Sequence, residues 1–273
     1  MKTIVLIHGL WLTPKSWDSF RHHYEAQGYR VLAPAWPGLQ GEIEEIRRDP
    51  SPIAFLGVKE IADYYERFIK SLDETPILIG HSFGGLIVQM LLDRGLGSAG
   101  VAIDSVAPQG VLDLPLPMLK SASPVLSNPF NYLGTVQLTL EQFRYAFANK
   151  LNEEEARKVY EEQVIPGPGR PVFQAALANV TPGAVTHVDF ANSYRPPLLL
   201  IAGSDDHQVP ASLNRSNFKK YERSQAVTDF KEFPLRSHLI VSENGWQEVA
   251  DYALSWAERQ LAEESEVGAL KVA

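Results

Sequence analysis

The chain has 273 residues, 45% hydrophobic and 21% charged, proportions of a globular protein rather than a disordered one. Its formal charge of −8 disfavours nonspecific binding to nucleic acid or to an anionic membrane, because neither attracts an acidic surface. It has no cysteine, which removes disulfides, thiolate catalysis and cysteine metal sites.

The opening Met1-Lys2-Thr3 leads into Ile4 to Ile7, an apolar run too short for a signal sequence and best explained as a buried strand. No stretch reaches the about 20 apolar residues that a membrane helix needs. A soluble, cytoplasmic protein without membrane insertion is expected. Ser16 is placed to cap a helix from Trp17 to about Gln27, with Gly28 as its stop. Arg30 to Ala33 reads as the next strand, closed by Pro34. Val58, Ile61, Tyr65, Phe68 and Leu72 recur at three- and four-residue steps and form one face of an amphipathic helix. Pro76 to Ile79 is a buried strand ending at Gly80, and Leu86 to Leu92 opens a helix stopped near Gly95. Val101 to Ile103, Leu198 to Ala202 and Asp229 to Phe233 are further strands. Val249, Ala253 and Trp256 mark the last helix, and Glu263 to Ala273 is expected to fray for want of periodicity.

Strands alternating with helices predict an α/β class with a mostly parallel central sheet of about six strands. Both faces of such a sheet are covered, so its strands read as continuous apolar runs. The interval 109–194 breaks the rhythm. Thr139 with Gln142 and Asn152 with Glu155 are spaced as capping boxes, Pro166-Gly167-Pro168-Gly169 separates helices, and a short helix is expected near Val172 to Ala178. The expectation is one domain over 1–273, with 109–194 a helical cap insertion lying on the sheet.

The chemistry centres on Gly80-His81-Ser82-Phe83-Gly84-Gly85, between a strand and a helix. A sharp strand-to-helix turn holds a serine in a strained conformation, so flanking residues must lack side chains, and Gly80 and Gly84 do. The following helix N-terminus favours developing negative charge. Serine is a weak nucleophile and needs a base. Of seven histidines, His238 is the strongest candidate, in the loop after the last strand. His207 is the runner-up, while His22 and His23 read as solvated and His81 as pointing elsewhere. The base needs an orienting acid. Asp205 and Asp206 follow the strand at Leu198, and Asp104 follows the preceding one, so spacing leaves three candidates. Backbone donors for an oxyanion are expected at Phe83 and at Leu10, in His8-Gly9-Leu10-Trp11, with Trp11 the neighbouring alternative and His8 supporting the loop. Residues with metal-ligand spacing and a dinucleotide glycine motif are missing, so no cofactor and no metal are expected.

Together these residues resemble the α/β-hydrolase superfamily, most closely its small esterase and hydroxynitrile-lyase-like members, over roughly residues 1–108 and 195–262. The Ser, Asp, His chain order is that of the superfamily. Its G-x-x-D pattern followed by V-P matches Gly203, Asp206, Val209 and Pro210, which favours Asp206 over Asp205. The usual G-H at the histidine is Ser237-His238 here. Superfamily dehalogenases and epoxide hydrolases carry aspartate at the turn, and Ser82 argues against both. The resemblance implies hydrolysis of an ester, or a thioester, lactone or amide, of a small hydrophobic substrate through an acyl-enzyme on Ser82. Phe130, Tyr132, Phe143, Tyr145 and Phe147 are expected either to line its pocket or to pack the insertion. Alternatives are a cyanohydrin-type lyase, for which Lys231 and Arg236 stand near His238 without a telling position, and a ligand receptor on the same fold. Oligomeric state stays open.

Overall fold

The computed structural model describes residues 2–272, with backbone alone for 264–272. Strand β1 (Thr3–Ile7) is followed by α1 (Asp18–Ala26), β2 (Arg30–Leu32), α2 (Ile43–Arg48), α3 (Val58–Lys70), β3 (Ile77–His81), α4 (Phe83–Asp93) and β4 (Ala99–Ile103). The interval 109–194 then holds α5 (Leu116–Leu126), β5 (Thr135–Val136), α6 (Leu140–Ala146), α7 (Glu153–Gln163), β6 (Gly167–Pro168) and α8 (Arg170–Ala176). The chain returns through β7 (Leu198–Gly203), α9 (Ala211–Lys220) and β8 (Thr228–Phe233) to α10 (Trp246–Val272).

Six strands form one sheet in the order β2-β1-β3-β4-β7-β8. Every pairing in it is parallel, with Leu6 opposite Ile79, Gly80 opposite Ala102 and Ile103 opposite Ile201. The alternation of side chains explains the apolar runs. Val5 and Ile7 enter one core with Leu78, Leu198 and Leu200, while Ile4 and Leu6 enter the opposite core with Ile79, Leu199 and Ile201. The second core is closed by Trp17, Phe20 and Tyr24 and by Val249, Ala253 and Trp256 of α10. The first is closed by α3, α4 and side chains of the 109–194 interval, among them Phe143, Phe147 and Val172. From β1 the chain moves outward to β2 and then back across to β3, so the order reverses between β1 and β3. The crevice outside the carboxyl ends of the strands at such a reversal is where open α/β sheets bind ligands.

Several local expectations needed correction. Ser16 does not cap the first helix. Thr13 caps a 3-10 turn over Pro14–Trp17 by accepting the Lys15 N–H, and the Ser16 hydroxyl donates back to the Thr13 carbonyl at 2.9 Å. Leu72 lies beyond the end of α3, although it still packs on the core. Helix α4 starts at Phe83, three residues before the apolar run that announced it, because Gly84 and Gly85 read as turn residues in isolation. Both predicted capping boxes are present, at Thr139–Gln142 and Asn152–Glu155. Gly167 and Pro168 do more than separate helices, pairing antiparallel with Thr135 and Val136. The segment expected to fray continues α10 in helical backbone to Val272; its side chains from 264 and all of Ala273 lie outside the described residues. Among the described residues no helix is long and apolar enough to cross a membrane.

Candidate active site

Ser82 sits between the last residue of β3 and the first of α4, with φ 57° and ψ −119°. A non-glycine residue there is strained by about 1–3 kcal/mol, so the surroundings must enforce it. They do so by contact. A Cβ on Gly80 would overlap the Gly84 carbonyl, and one on Gly84 would overlap the Ile7 carbonyl. The Ser82 N–H is also held by the Ile103 carbonyl at 2.9 Å, tying the turn to β4. Ser82 itself is 3% exposed.

His238 and Asp206 meet at the carboxyl end of the sheet. Nδ1 of His238 lies 2.6 Å from Oδ2 of Asp206, with both side chains fully buried. The other carboxylate oxygen accepts the N–H groups of Gln208 at 2.7 Å and Val209 at 2.8 Å. Nδ1 therefore carries the ring proton and Nε2 is free to accept one. Nε2 is buried and makes no hydrogen bond, so Ser82 Oγ is not bonded to it in this structure. Such contacts often tighten only when substrate is bound. Asp205 faces away from this pair. Its carboxylate takes the Lys150 ammonium at 2.8 Å and the Ser204 hydroxyl at 2.7 Å, which hold its pKa below the usual aspartate value.

The third candidate acid, Asp104, is fully buried at φ 45° just after β4. Burial and the neighbouring Asp206 push its carboxyl well above the usual range. One atom each of His81, Asp104 and His238 lie within 4.8 Å of one another, a grouping that would suit a cation by ligand type. His238 already spends Nδ1 on Asp206, and the His81 Nε2–H donates to the His238 carbonyl at 2.8 Å.

His81 thus does not simply point elsewhere. Its ring lies 4.5 Å from that of His238, and its hydrogen bond holds the His238 backbone. Burial and the neighbouring His238 hold it well below the ordinary histidine pKa, hence neutral. His8 accepts the Trp36 N–H at Nε2 (3.2 Å), so Nδ1 carries the proton and donates to the Gly9 carbonyl at 2.9 Å. Burial lowers its pKa to about 4. The runner-up base, His207, is occupied by the Tyr145 carbonyl at 3.0 Å. His187 is exposed, and His23 pairs with Asp251.

Phe83 occupies the first position of α4, where a backbone N–H has no intrahelical partner. Leu10 is buried in the turn after β1, next to Gly9, where an added Cβ would lie only 2.9 Å from the Ser82 Cβ. Trp11, at φ 65°, ties this turn to the 109–194 interval: its indole N–H donates to Val136 at 3.0 Å and its carbonyl accepts from Ile165 at 2.9 Å. Lys231 rests over the Phe233 and Tyr252 rings, and Arg236 is engaged by the Asn244 and Gly245 carbonyls.

Some supports had no sequence signal. Glu243 binds both the N–H and the hydroxyl of Ser237, bracing the loop that carries His238. Phe147 meets the His238 ring edge-on at 4.7 Å and shields it from water. The cavity beside the site, of about 220 Å³, is bounded by Phe83, by Gln208 and Val209 of the loop that carries Asp206, and by Val111, Met118, Leu119, Ala122, Val172 and Ala175. None of the five aromatics singled out in the sequence lines it. Phe143 and Phe147 are core side chains, and Phe130 is exposed.

The model of the alpha/beta hydrolase family matches residues 4–252. No curated protein matches the chain. Among solved structures, an extracellular α/β-hydrolase from a Paenibacillus species superposes with a TM-score of 0.68 at 21% identity, covering 94% of this chain and 99% of its own. Polyneuridine aldehyde esterase gives 0.65 at 17% identity, over 94% and 99%. A pyrethroid hydrolase from Sphingobium faniae gives 0.65 at 19%, over 94% and 97%.

Proposed function

The chain belongs to the α/β-hydrolase family, and we propose that it hydrolyses a carboxylic ester, or a related acyl bond, of a small hydrophobic substrate. Ser82 is the nucleophile, His238 the base and Asp206 the acid that orients it. The observation that carries this reading is the fully buried His238–Asp206 pair at 2.6 Å, with Nε2 left free, at the same sheet edge as the strained Ser82 turn.

In the first step His238 Nε2 takes the hydroxyl proton as Ser82 Oγ attacks the carbonyl carbon. The oxyanion that forms is received by the backbone N–H groups of Phe83 and Leu10. Aimed at charge that appears only in the transition state, such donors each contribute about 3–4 kcal/mol. His238 then gives that proton to the leaving alcohol; in the second half the same nitrogen takes a proton from water as its oxygen attacks the acyl carbon, and passes it to Ser82 Oγ as the carboxylic acid departs. Asp206 stays ionised and stabilises the imidazolium. The fold neighbours that are named as esterases and hydrolases agree with this class of reaction.

The interval 109–194 acts as a cap, anchored through Trp11 to the turn after β1 and through Asn149 and Lys150 to the acid's loop. Its cavity of about 220 Å³ is mostly aliphatic and falls below the about 300–1,000 Å³ usual for drug-sized ligands, which favours a short acyl or alcohol group. One neighbour with the same fold is extracellular, so the fold by itself does not favour the cytoplasm.

Turnover of p-nitrophenyl esters of increasing chain length tests the reading. Short esters are expected to be cleaved, and Ser82→Ala is expected to lower kcat by about 10³-fold or more. Turnover that persists in Ser82→Ala would refute it.

A further inference from the structure

Asp104 and Asp206 follow β4 and β7, adjacent strands of the sheet, so the topology delivers two buried carboxyls to one edge. An oxygen of Asp104 lies within 4.8 Å of a ring nitrogen of His238, the ring that Asp206 holds at 2.6 Å, and the neighbouring Asp206 raises the Asp104 carboxyl. Two buried carboxyls gathered around one imidazole disfavour a double negative charge, so one keeps a proton. Counting donors decides which. Asp206 receives three: the Gln208 and Val209 N–H groups on one oxygen and the His238 ring on the other. Asp104 receives one, the Gly203 N–H on Oδ1 at 2.7 Å, and its buried Oδ2 meets no donor. A carboxylate with an unsatisfied buried oxygen is costly, whereas a carboxylic acid turns that oxygen into a donor.

We propose that Asp104 is a positioning residue: a neutral carboxylic acid whose Oδ2–H donates to Asp206 and holds that carboxylate against His238. This rests on the Ser82, His238 and Asp206 reading given above. Two ionised acids beside His238 would trap it as an imidazolium. With Asp104 neutral, the base faces a single negative charge. The other titratable groups that face Asp104 fit this role: His81 is neutral, and Glu243 is turned to Ser237. The positive φ at Asp104 is the kind of strain that persists where the surroundings fix a side chain for a task.

The test uses the full chain and follows the His238 ring titration by nitrogen-15 NMR beside ester kinetics. Asp104→Ala removes the donor, leaving Asp206 a stronger acceptor. Its expected result is a kcat lower by about tenfold or more with KM within about twofold, and a His238 midpoint raised by about half a unit or more. Asp104→Asn still accepts from Gly203 and offers an N–H to Asp206. It is expected to recover most of the lost activity, with the midpoint within about 0.3 unit of the wild type. A midpoint lowered by about one unit in Asp104→Asn would show that Asp104 is normally ionised and overturn the proposal. An unmoved midpoint in a folded Asp104→Ala would confine Asp104 to supporting Gly203 and overturn it too. Should the alanine variant not fold, the asparagine titration alone decides. The titration needs no turnover, so it reads Asp104 even if esters are not cleaved, while Ser82→Ala reports on the hydrolase reading separately.

Discussion

Asp205 and Asp206 are consecutive and chemically identical, yet packing gives them opposite surroundings. The first is held at the surface by Lys150, and the second is buried against His238 with two backbone donors. Asp206→Asn is therefore expected to lower kcat by about 10³–10⁴-fold, and Asp205→Asn by about twofold or less. Steady-state kinetics of the two variants check this, and the reverse order would reassign the acid. No periodicity in the sequence separates the two; the distinction lies in which carboxyl the turn after β7 directs inward. His8 makes a different prediction. Its pKa falls from 6.5 to about 4 on folding, because burial excludes the charged form. Below pH 6.5 the unfolded chain takes up a proton that the folded chain refuses, so this histidine's contribution declines as pH falls. The loss amounts to about 3 kcal/mol by pH 4. Asp104 works in the opposite sense, since its raised carboxyl favours the folded state at low pH. The His8 share is thus read as the difference in urea stability between wild type and His8→Gln, which should narrow between pH 6.5 and 4. A constant difference would contradict it.

At the scale of elements, the turn at Ser82 depends on close backbone approach more than on side-chain packing. A methyl group on Gly84 has no space beside the Ile7 and His8 carbonyls of the β1 end. Gly84→Ala is expected to destabilise by about 4 kcal/mol or more, measured by urea unfolding, and a loss under about 1 kcal/mol would show that the turn can relax. The same turn explains why so much was legible in the sequence. Strands buried on both faces read as Ile4 to Ile7 or Leu198 to Ala202, and a glycine pair around a serine marks the sharp strand-to-helix turn at Ser82. Helices whose start depends on tertiary contact were less legible. α5 contains Pro124 within it, so its sequence argues against a helix. α9 carries Asn214 and Asn217 in its buried face, where Asn217 bonds to Gln89 of α4, so the apolar stripe that signals a helix is interrupted. Ser16 has the right residue type for a cap, but a 3-10 turn opened at Pro14 and capped by Thr13 begins three residues earlier.

Across the whole molecule, the sheet ends gather the proposed triad, and the 109–194 interval lines much of the cavity beside it. Ser82, Asp206 and His238 come from three loops at the carboxyl ends of β3, β7 and β8, which is why residues 124 and 32 positions apart in sequence can share one edge. The cavity wall was not legible in advance. Aromatic residues of the interval suggested it, but packing drew Phe143 and Phe147 into the core and left smaller side chains such as Ala122 and Ala175 at the cavity. Ala122→Phe is accordingly expected to lower kcat/KM for p-nitrophenyl butyrate about tenfold or more relative to the acetate, because each added methylene is worth about 1–3 kcal/mol in such a pocket. Equal effects on both esters would place the acyl group elsewhere. The most direct measurement of the central claim is covalent: treat the protein with a fluorophosphonate and locate the adduct by peptide mass spectrometry. One adduct per chain is expected, on Ser82, lost in Ser82→Ala and slowed strongly in His238→Ala. An unlabelled protein, or an adduct on any other residue, would contradict it.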